Sequence, residues 1–163
     1  MKNLILIRHA KAEGDSISGR DFDRSISKSG AEDAEAVALA ASSFLPELYS
    51  VLCSSAKRTS QTAAIFCRKM GYPIADVSFS DNLYTFDLSA LEHEVRSQPD
   101  TTETIVIFCH NEAITDFVNK FGDILIDNVP TSGFVSIIFD TTKWSDIKNG
   151  KTIKTIFPRD LIK

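Results

Sequence analysis

The sequence predicts an α/β fold, a three-layer α/β/α sandwich with a mostly parallel central sheet and helices on both faces. Continuous apolar runs of strand length, such as Leu4-Ile5-Leu6-Ile7 and Ile105-Val106-Ile107-Phe108-Cys109, read as buried strands. Between them lie stretches whose apolar residues return every three or four positions, the period of one helical face. The 163 residues contain no repeat, low-complexity tract or linker-like composition, so residues 1–163 are expected to form a single domain.

Leu4 to Ile7 is the first strand. The polar stretch from Glu13 to Ser27, which contains Gly14 and Gly19, reads as a long loop. Ser27 or Ser29 then caps a helix from about Gly30 to Phe44, with Ala31, Ala34, Val37, Ala38, Ala41 and Phe44 on one face and Pro46 ending it. Ser50 to Cys53 is the second strand, and Lys57 to Met70 the second helix, closed by Gly71 and Pro73. Val77 to Phe79 makes a short strand. Leu88 to Arg96 is helical and is followed by a polar break at Ser97 to Thr102. After the strand Thr104 to Cys109, a helix over Asn111 to Phe121 turns Ala113, Ile114, Phe117, Val118 and Phe121 inward. Phe134 to Phe139 and Thr152 to Phe157 form a terminal hairpin joined through Lys148-Asn149-Gly150.

An apolar fraction of 43% and a charged fraction of 25% are those of an ordinary globular protein. The net charge of −4 argues against nonspecific binding to nucleic acid or to a membrane surface, so neither is an expected partner. Arginines gathered at one place in such an acidic chain are correspondingly more telling. The apolar runs are too short to span a bilayer, and the N-terminus enters a strand at Asn3 without a signal- or transit-peptide pattern. The expected compartment is the cytosol. Cys53, Cys67 and Cys109 fit it, because an odd number of cysteines without close spacing reads as small buried hydrophobes rather than a disulfide framework or a zinc site.

In open α/β sheets ligands bind beyond the carboxyl ends of the strands. Arg8-His9 ends the first strand, the Ser54-Ser55 turn ends the second, and His110 follows Cys109. A lone histidine after a strand is usually structural. His9, however, is preceded by Arg8, and an arginine buried without an anionic partner costs several kcal/mol, on the order of what breaks a buried ion pair. Two imidazoles and an arginine at one sheet edge suggest an anion between them. Neutral imidazole, with its ordinary pKa of about 6.5, can accept a phosphoryl group on nitrogen and pass it to water. Arg58 stands in the first turn of the second helix, where a cation opposes the helix dipole unless an anion is bound. Arg24, in the polar loop, would by default be a surface charge. Guanidinium groups grip phosphate oxygens in a planar, two-pronged way and would stabilise their charge in a loose transition state. His93, flanked by Glu92 and Glu94, reads as solvent-facing.

Rival chemistries fit less well. Cys53 and Arg58 are one residue too close for a cysteine-phosphatase loop, and Asp21-Phe22-Asp23 lies in a loop rather than at a strand end, where an aspartyl-phosphate enzyme would need it. His93-Glu94 lacks the second histidine of a zincin, and there is neither a Walker loop nor a Gly-x-Ser-x-Gly elbow. No metal site is expected.

The segments Leu6-Ile7-Arg8-His9-Ala10-Lys11-Ala12, Asp23-Arg24 through Ser29-Gly30, Ser54 to Ala63 and Cys109-His110-Asn111 together resemble the histidine phosphatase superfamily, the group that includes the phosphoglycerate mutases. Within it they resemble the small phosphohistidine phosphatases of the SixA type. The resemblance implies that His9 is the nucleophile, that Arg8, Arg58 and His110 bind the phosphoryl group, that Arg24 joins them, and that neither metal nor cofactor takes part. Many members also carry a glutamate that protonates the leaving oxygen. Here the nearest candidate is Asp81, with Asn82 where a glutamate would be expected.

An alkoxide needs an acid to leave, whereas an imidazole needs less help. Together with the short stretch between Arg58 and His110, which leaves little room for a capping subdomain, this favours a phosphohistidine on a phosphotransfer or phosphocarrier protein as the substrate. A phosphatase of small phosphoesters or acyl phosphates is the first alternative, with Asp81 as its acid. A phosphate-binding module without turnover is the second, although an intact His9 counts against it.

Overall fold

The computed structural model describes residues 1–161. Six strands form one sheet: β1 (Lys2–Arg8), β2 (Ser50–Ser54), β3 (Ser78–Ser80), β4 (Thr104–Cys109), β5 (Phe134–Phe139) and β6 (Lys151–Ile156). Their order is β3-β2-β4-β1-β5-β6. The first four run parallel, while β5 runs antiparallel to both β1 and β6. The helices are α1 (Lys28–Ala41), α2 (Lys57–Met70), α3 (Leu88–Arg96) and α4 (Ala113–Phe121). Among the described residues, no helix is long and apolar enough to cross a membrane.

Side chains alternate across a strand, so a strand apolar at every position supplies two cores. Leu4 and Leu6 pack on one face of the sheet with Ile105, Ile107, Leu91, Phe117 and Trp144. Ile5 and Ile7 pack on the other with Val106, Phe108, Val37, Ala38 and Phe66. The result is the expected sandwich, with α3 and α4 on one side and α1 and α2 on the other. Trp144, fully buried in the long connection between β5 and β6, donates from its indole N–H to Thr102 O at 2.8 Å. The two final strands therefore pair as expected, but through an extended, packed crossing rather than a tight turn.

Helix ends follow the local chemistry. Ser27 caps α1 by accepting from Gly30 N–H, and Asp87 caps α3 by accepting from Ala90 N–H. Gly71 closes α2 in the left-handed region at φ 74°. Two expectations need correction. α1 ends at Ala41 rather than Phe44, because Ser42 and Ser43 turn the chain into a single 3-10 turn. Phe44 is consequently 49% exposed instead of inward, with Lys154 Nζ lying over its ring at 4.1 Å. α4 begins at Ala113, two residues later than expected, and all five of its predicted inward residues are buried. Cys53, Cys67 and Cys109 are free and buried.

What the fold places most tightly is the chain leaving β1. Lys11 O accepts from both Ser27 N–H (2.8 Å) and Ser27 Oγ (3.2 Å), Glu13 N–H donates to Ser25 O (2.8 Å), and Ala12 bridges Ile26. These contacts pinch the base of the polar loop, which then projects as a flap ending in a 3-10 turn at Asp21–Asp23. Gly30 permits the pinch: a Cβ at that position would collide with the Lys11 backbone. Gly30→Ala is expected to destabilise the protein by about 1–3 kcal/mol in urea unfolding, the usual cost of overpacking a site that cannot relax. An unchanged midpoint would show that the pinch gives way freely.

Candidate active site

The first turn of α2 organises the site. Arg58, Gln61 and Thr62 are spaced three and four residues apart and so share one helical face. Thr62 Oγ1 donates to Arg58 O at 2.7 Å and accepts from Ala10 N–H at 2.9 Å. Gln61 Oε1 accepts from Ile26 N–H at 2.8 Å. One helical turn thus ties the exit of β1 and the base of the flap to the segment that carries Arg58.

The His9 ring stands at the end of β1 with its orientation fixed. Its Nδ1–H donates to Ala10 O at 2.7 Å, which leaves the lone pair on Nε2. Burial pushes its pKa down to about 4; the charges of Arg58, Arg8 and Arg24 push the same way, against the Ala10 carbonyl. The ring is therefore neutral and nucleophilic near pH 7. His110, with no exposed surface, lies with its centroid 5.3 Å from that of His9. Burial first, then His9 and Arg58, lower its pKa to about 3. His110 Nε2 lies 2.8 Å from Ser54 Oγ, which already accepts from Ala56 N–H. Among the described residues Nε2 is the only acceptor within reach of the serine proton, so the serine donates to it and the single proton of the neutral ring sits on Nδ1.

Arg58 is 2% exposed, so its charge needs company. Asp21, at the tip of the flap, supplies it. Arg58 Nη1 donates to Asp21 O at 2.8 Å, and Nη2 donates to Asp21 Oδ2 at 2.9 Å. The same carboxylate accepts from Tyr84 OH at 2.5 Å and from Arg24 Nη1 at 3.0 Å. Tyr84, Arg24 and Arg58 together hold the Asp21 carboxyl far below the usual carboxylate range, so it is ionised. Burial and the adjacent carboxylate raise the Tyr84 hydroxyl, which keeps it a donor.

Three buried polar atoms in this cluster have no hydrogen-bond partner among the described residues: Arg8 Nε, Arg58 Nε and His110 Nδ1. Each of these side chains is anchored by its other nitrogens, Arg8 through Nη1 to Val129 O at 2.8 Å. Buried donors are rarely left unpaired. Their side chains are grouped about His9: the charges of Arg8 and Arg58 act on its ring, and the His110 ring packs against it.

The structure thus gathers His9, Arg8, Arg58, His110 and Arg24, with Arg24 reaching the group through Asp21. Asp81 is exposed, and its carboxylate accepts from Ser55 Oγ, the neighbour of Ser54. The carboxylate that touches the cluster is Asp21. His93 faces solvent. The sequence places the Ser54-Ser55 turn at this edge but does not single out Thr62 or Tyr84, nor Ser132, whose N–H donates to Arg8 O and His9 O at 3.1 Å each. Only the helical spacing of Arg58 and Thr62 could have signalled one of them.

The family model of the histidine phosphatase superfamily (branch 1) matches residues 4–102. This chain belongs to that superfamily. An uncharacterized chloroplastic protein of Arabidopsis thaliana is 36% identical over 121 residues, which cover 68% of this chain and 55% of that protein. The chain thus spans little more than half the length of that curated relative. Among solved structures, the protein histidine phosphatase SixA complexed with tungstate superimposes with a TM-score of 0.82 at 17% identity, covering 98% of this chain and 99% of the other. A proposed SixA phosphohistidine phosphatase from Nakamurella multipartitia gives 0.80 at 25% identity and 96% of both chains. A third of the same description, from Agrobacterium tumefaciens, gives 0.78 at 23% identity, covering 95% and 97%.

The lowered imidazole pKa values make a direct prediction. In ligand-free protein, nitrogen-detected NMR should find the His9 and His110 rings neutral from about pH 8 down to about pH 5; titration near the free value of about 6.5 would contradict the burial described. The unfolded chain then binds more protons than the folded one as pH falls, so these rings withdraw stability from about pH 6.5 downward, towards the folded values.

Proposed function

We propose that this chain is a metal-independent phosphatase that works through a phosphohistidine on His9, and that its substrate is a phosphohistidine carried by a phosphotransfer or phosphocarrier protein. The observation that carries the reading is the set of three unpartnered buried donors around a neutral imidazole whose Nε2 is free. Superfamily membership and the SixA-like fold support it.

In the first step His9 Nε2 attacks phosphorus, the substrate N–P bond breaks, and the electron pair stays on the substrate ring. Arg8 Nε, Arg58 Nε and His110 Nδ1 donate to the equatorial oxygens, where charge gathers in a loose transition state. Donor and acceptor are both imidazoles, so the transfer is close to balanced in energy. In the second step water attacks phosphorus, the P–Nε2 bond breaks with its electron pair staying on Nε2, and inorganic phosphate leaves with both of the water's protons on its oxygens. The Nδ1–H to Ala10 O bond keeps Nε2 aimed throughout. Asp21 is ionised and shared among three donors, so it holds Arg58 and Arg24 in place rather than supplying a proton.

Such a site needs no leaving-group acid when an N–P bond is cleaved, which favours phosphohistidine over small phosphoesters. Free buried thiols fit a reducing compartment, and the cytosol is the one we propose. With excess EDTA, wild-type protein should dephosphorylate a phosphohistidine-bearing phosphotransfer domain, and alkaline quenching should trap phosphate on nitrogen of His9. His9→Ala should remove both signals, a loss on the order of 10³-fold or more in turnover. Faster turnover of small esters would move the substrate to metabolites. Phosphate binding without any turnover would leave a binding module.

A further inference from the structure

Beside the two histidines stands a group of rings that the phosphoryl chemistry does not use. Tyr84 and Phe86, in the segment leading into α3, meet the His110 ring edge to face at centroid distances of 5.4 and 5.6 Å. Tyr84 meets Phe86 at 5.7 Å and Phe22 at 5.1 Å, and its hydroxyl is fixed on Asp21. Phe86 is 52% exposed, although the imidazole it touches has no exposed surface. An open phenylalanine against a buried site histidine has apolar surface left for a ligand.

We propose that Phe86, backed by Tyr84, is a leaving-group subsite for a planar nitrogen heterocycle, the imidazole of a phosphohistidine. This rests on the phosphatase reading above and adds what the departing group touches. Aromatic rings receive another ring edge to face or offset-stacked, the geometry already present between Phe86 and His110. The chemistry points the same way. A phosphohistidine ring departs as neutral imidazole only if its second nitrogen already carries a proton, and that protonated ring is a cation.

Aromatic faces attract cations, so the subsite favours the form that needs no acid. Asp21, the carboxylate on Arg58 and Arg24, is held by Tyr84, Arg24 and Arg58 and offers no proton of its own. During transfer the N–P bond breaks, its electron pair stays on the departing ring nitrogen, and the proton on the far nitrogen never moves.

The test compares free phosphohistidine with phosphoramidate, which has an N–P bond but no ring. In Phe86→Ala the ratio of kcat/KM for phosphohistidine to that for phosphoramidate should fall about tenfold, the scale of one aromatic contact. Phe86→Leu should fall similarly and Phe86→Tyr should restore the ratio. A ratio unchanged in Phe86→Ala, or restored by leucine, overturns the subsite while leaving the phosphatase reading intact. If wild-type protein turns over small phosphomonoesters but neither N–P compound, the phosphohistidine reading fails, and the subsite with it.

Discussion

A guanidinium that is 2% exposed must be neutralised, and the arrangement around Arg58 depends on that requirement. The Asp21 carboxylate and carbonyl occupy the two terminal nitrogens and leave Nε free. To bring Asp21 there, the flap is pinched at Lys11 and Ser27, carried over α2 by Gln61, and latched by Tyr84. The chain has to pass so close at Gly30 that no side chain fits. Loop, helix and strand end are thus fitted to one buried charge.

The same charges set the chemistry of His9. Burial is the main force against a proton on that ring, and three nearby arginines, which would suit an anion, act in the same direction. The ring is therefore neutral where a free histidine would be partly protonated. The bond from Nδ1–H to Ala10 O settles which nitrogen is available. Electrostatics and geometry leave one unprotonated nitrogen on this ring, Nε2, the atom that our proposal makes the nucleophile.

Much of this was legible in the sequence because local chemistry and tertiary packing agree there. The bounds of α2, α3 and β4 agree with the expectation: Gly71 marks the end of α2, and β4 is an unbroken apolar run after Thr104. α1 ran past its true end because Phe44 continues the apolar period, whereas Ser42 and Ser43 break the helix and leave that ring outside. The strand-end rule placed His9 and His110 together. It could not choose between acidic residues in loops. Asp81 is only the nearest acidic residue to Asn82, where the glutamate would be expected, and Asp21 is the carboxylate on the arginines, because side-chain directions in a long flap depend on contacts far away in the chain. Tyr84 was invisible for the same reason: its partner lies in another loop.

The central claim is that Arg8 Nε, Arg58 Nε and His110 Nδ1 jointly serve one phosphoryl group on His9 Nε2. A crystal structure with orthovanadate tests it most directly, since vanadate adopts the five-coordinate geometry of phosphoryl transfer. The account predicts vanadium bonded to His9 Nε2, its equatorial oxygens within hydrogen-bond reach of all three donors, and Asp21 still on the terminal nitrogens of Arg58. Vanadate bound elsewhere, or seated on those terminal nitrogens after displacing Asp21, would contradict it.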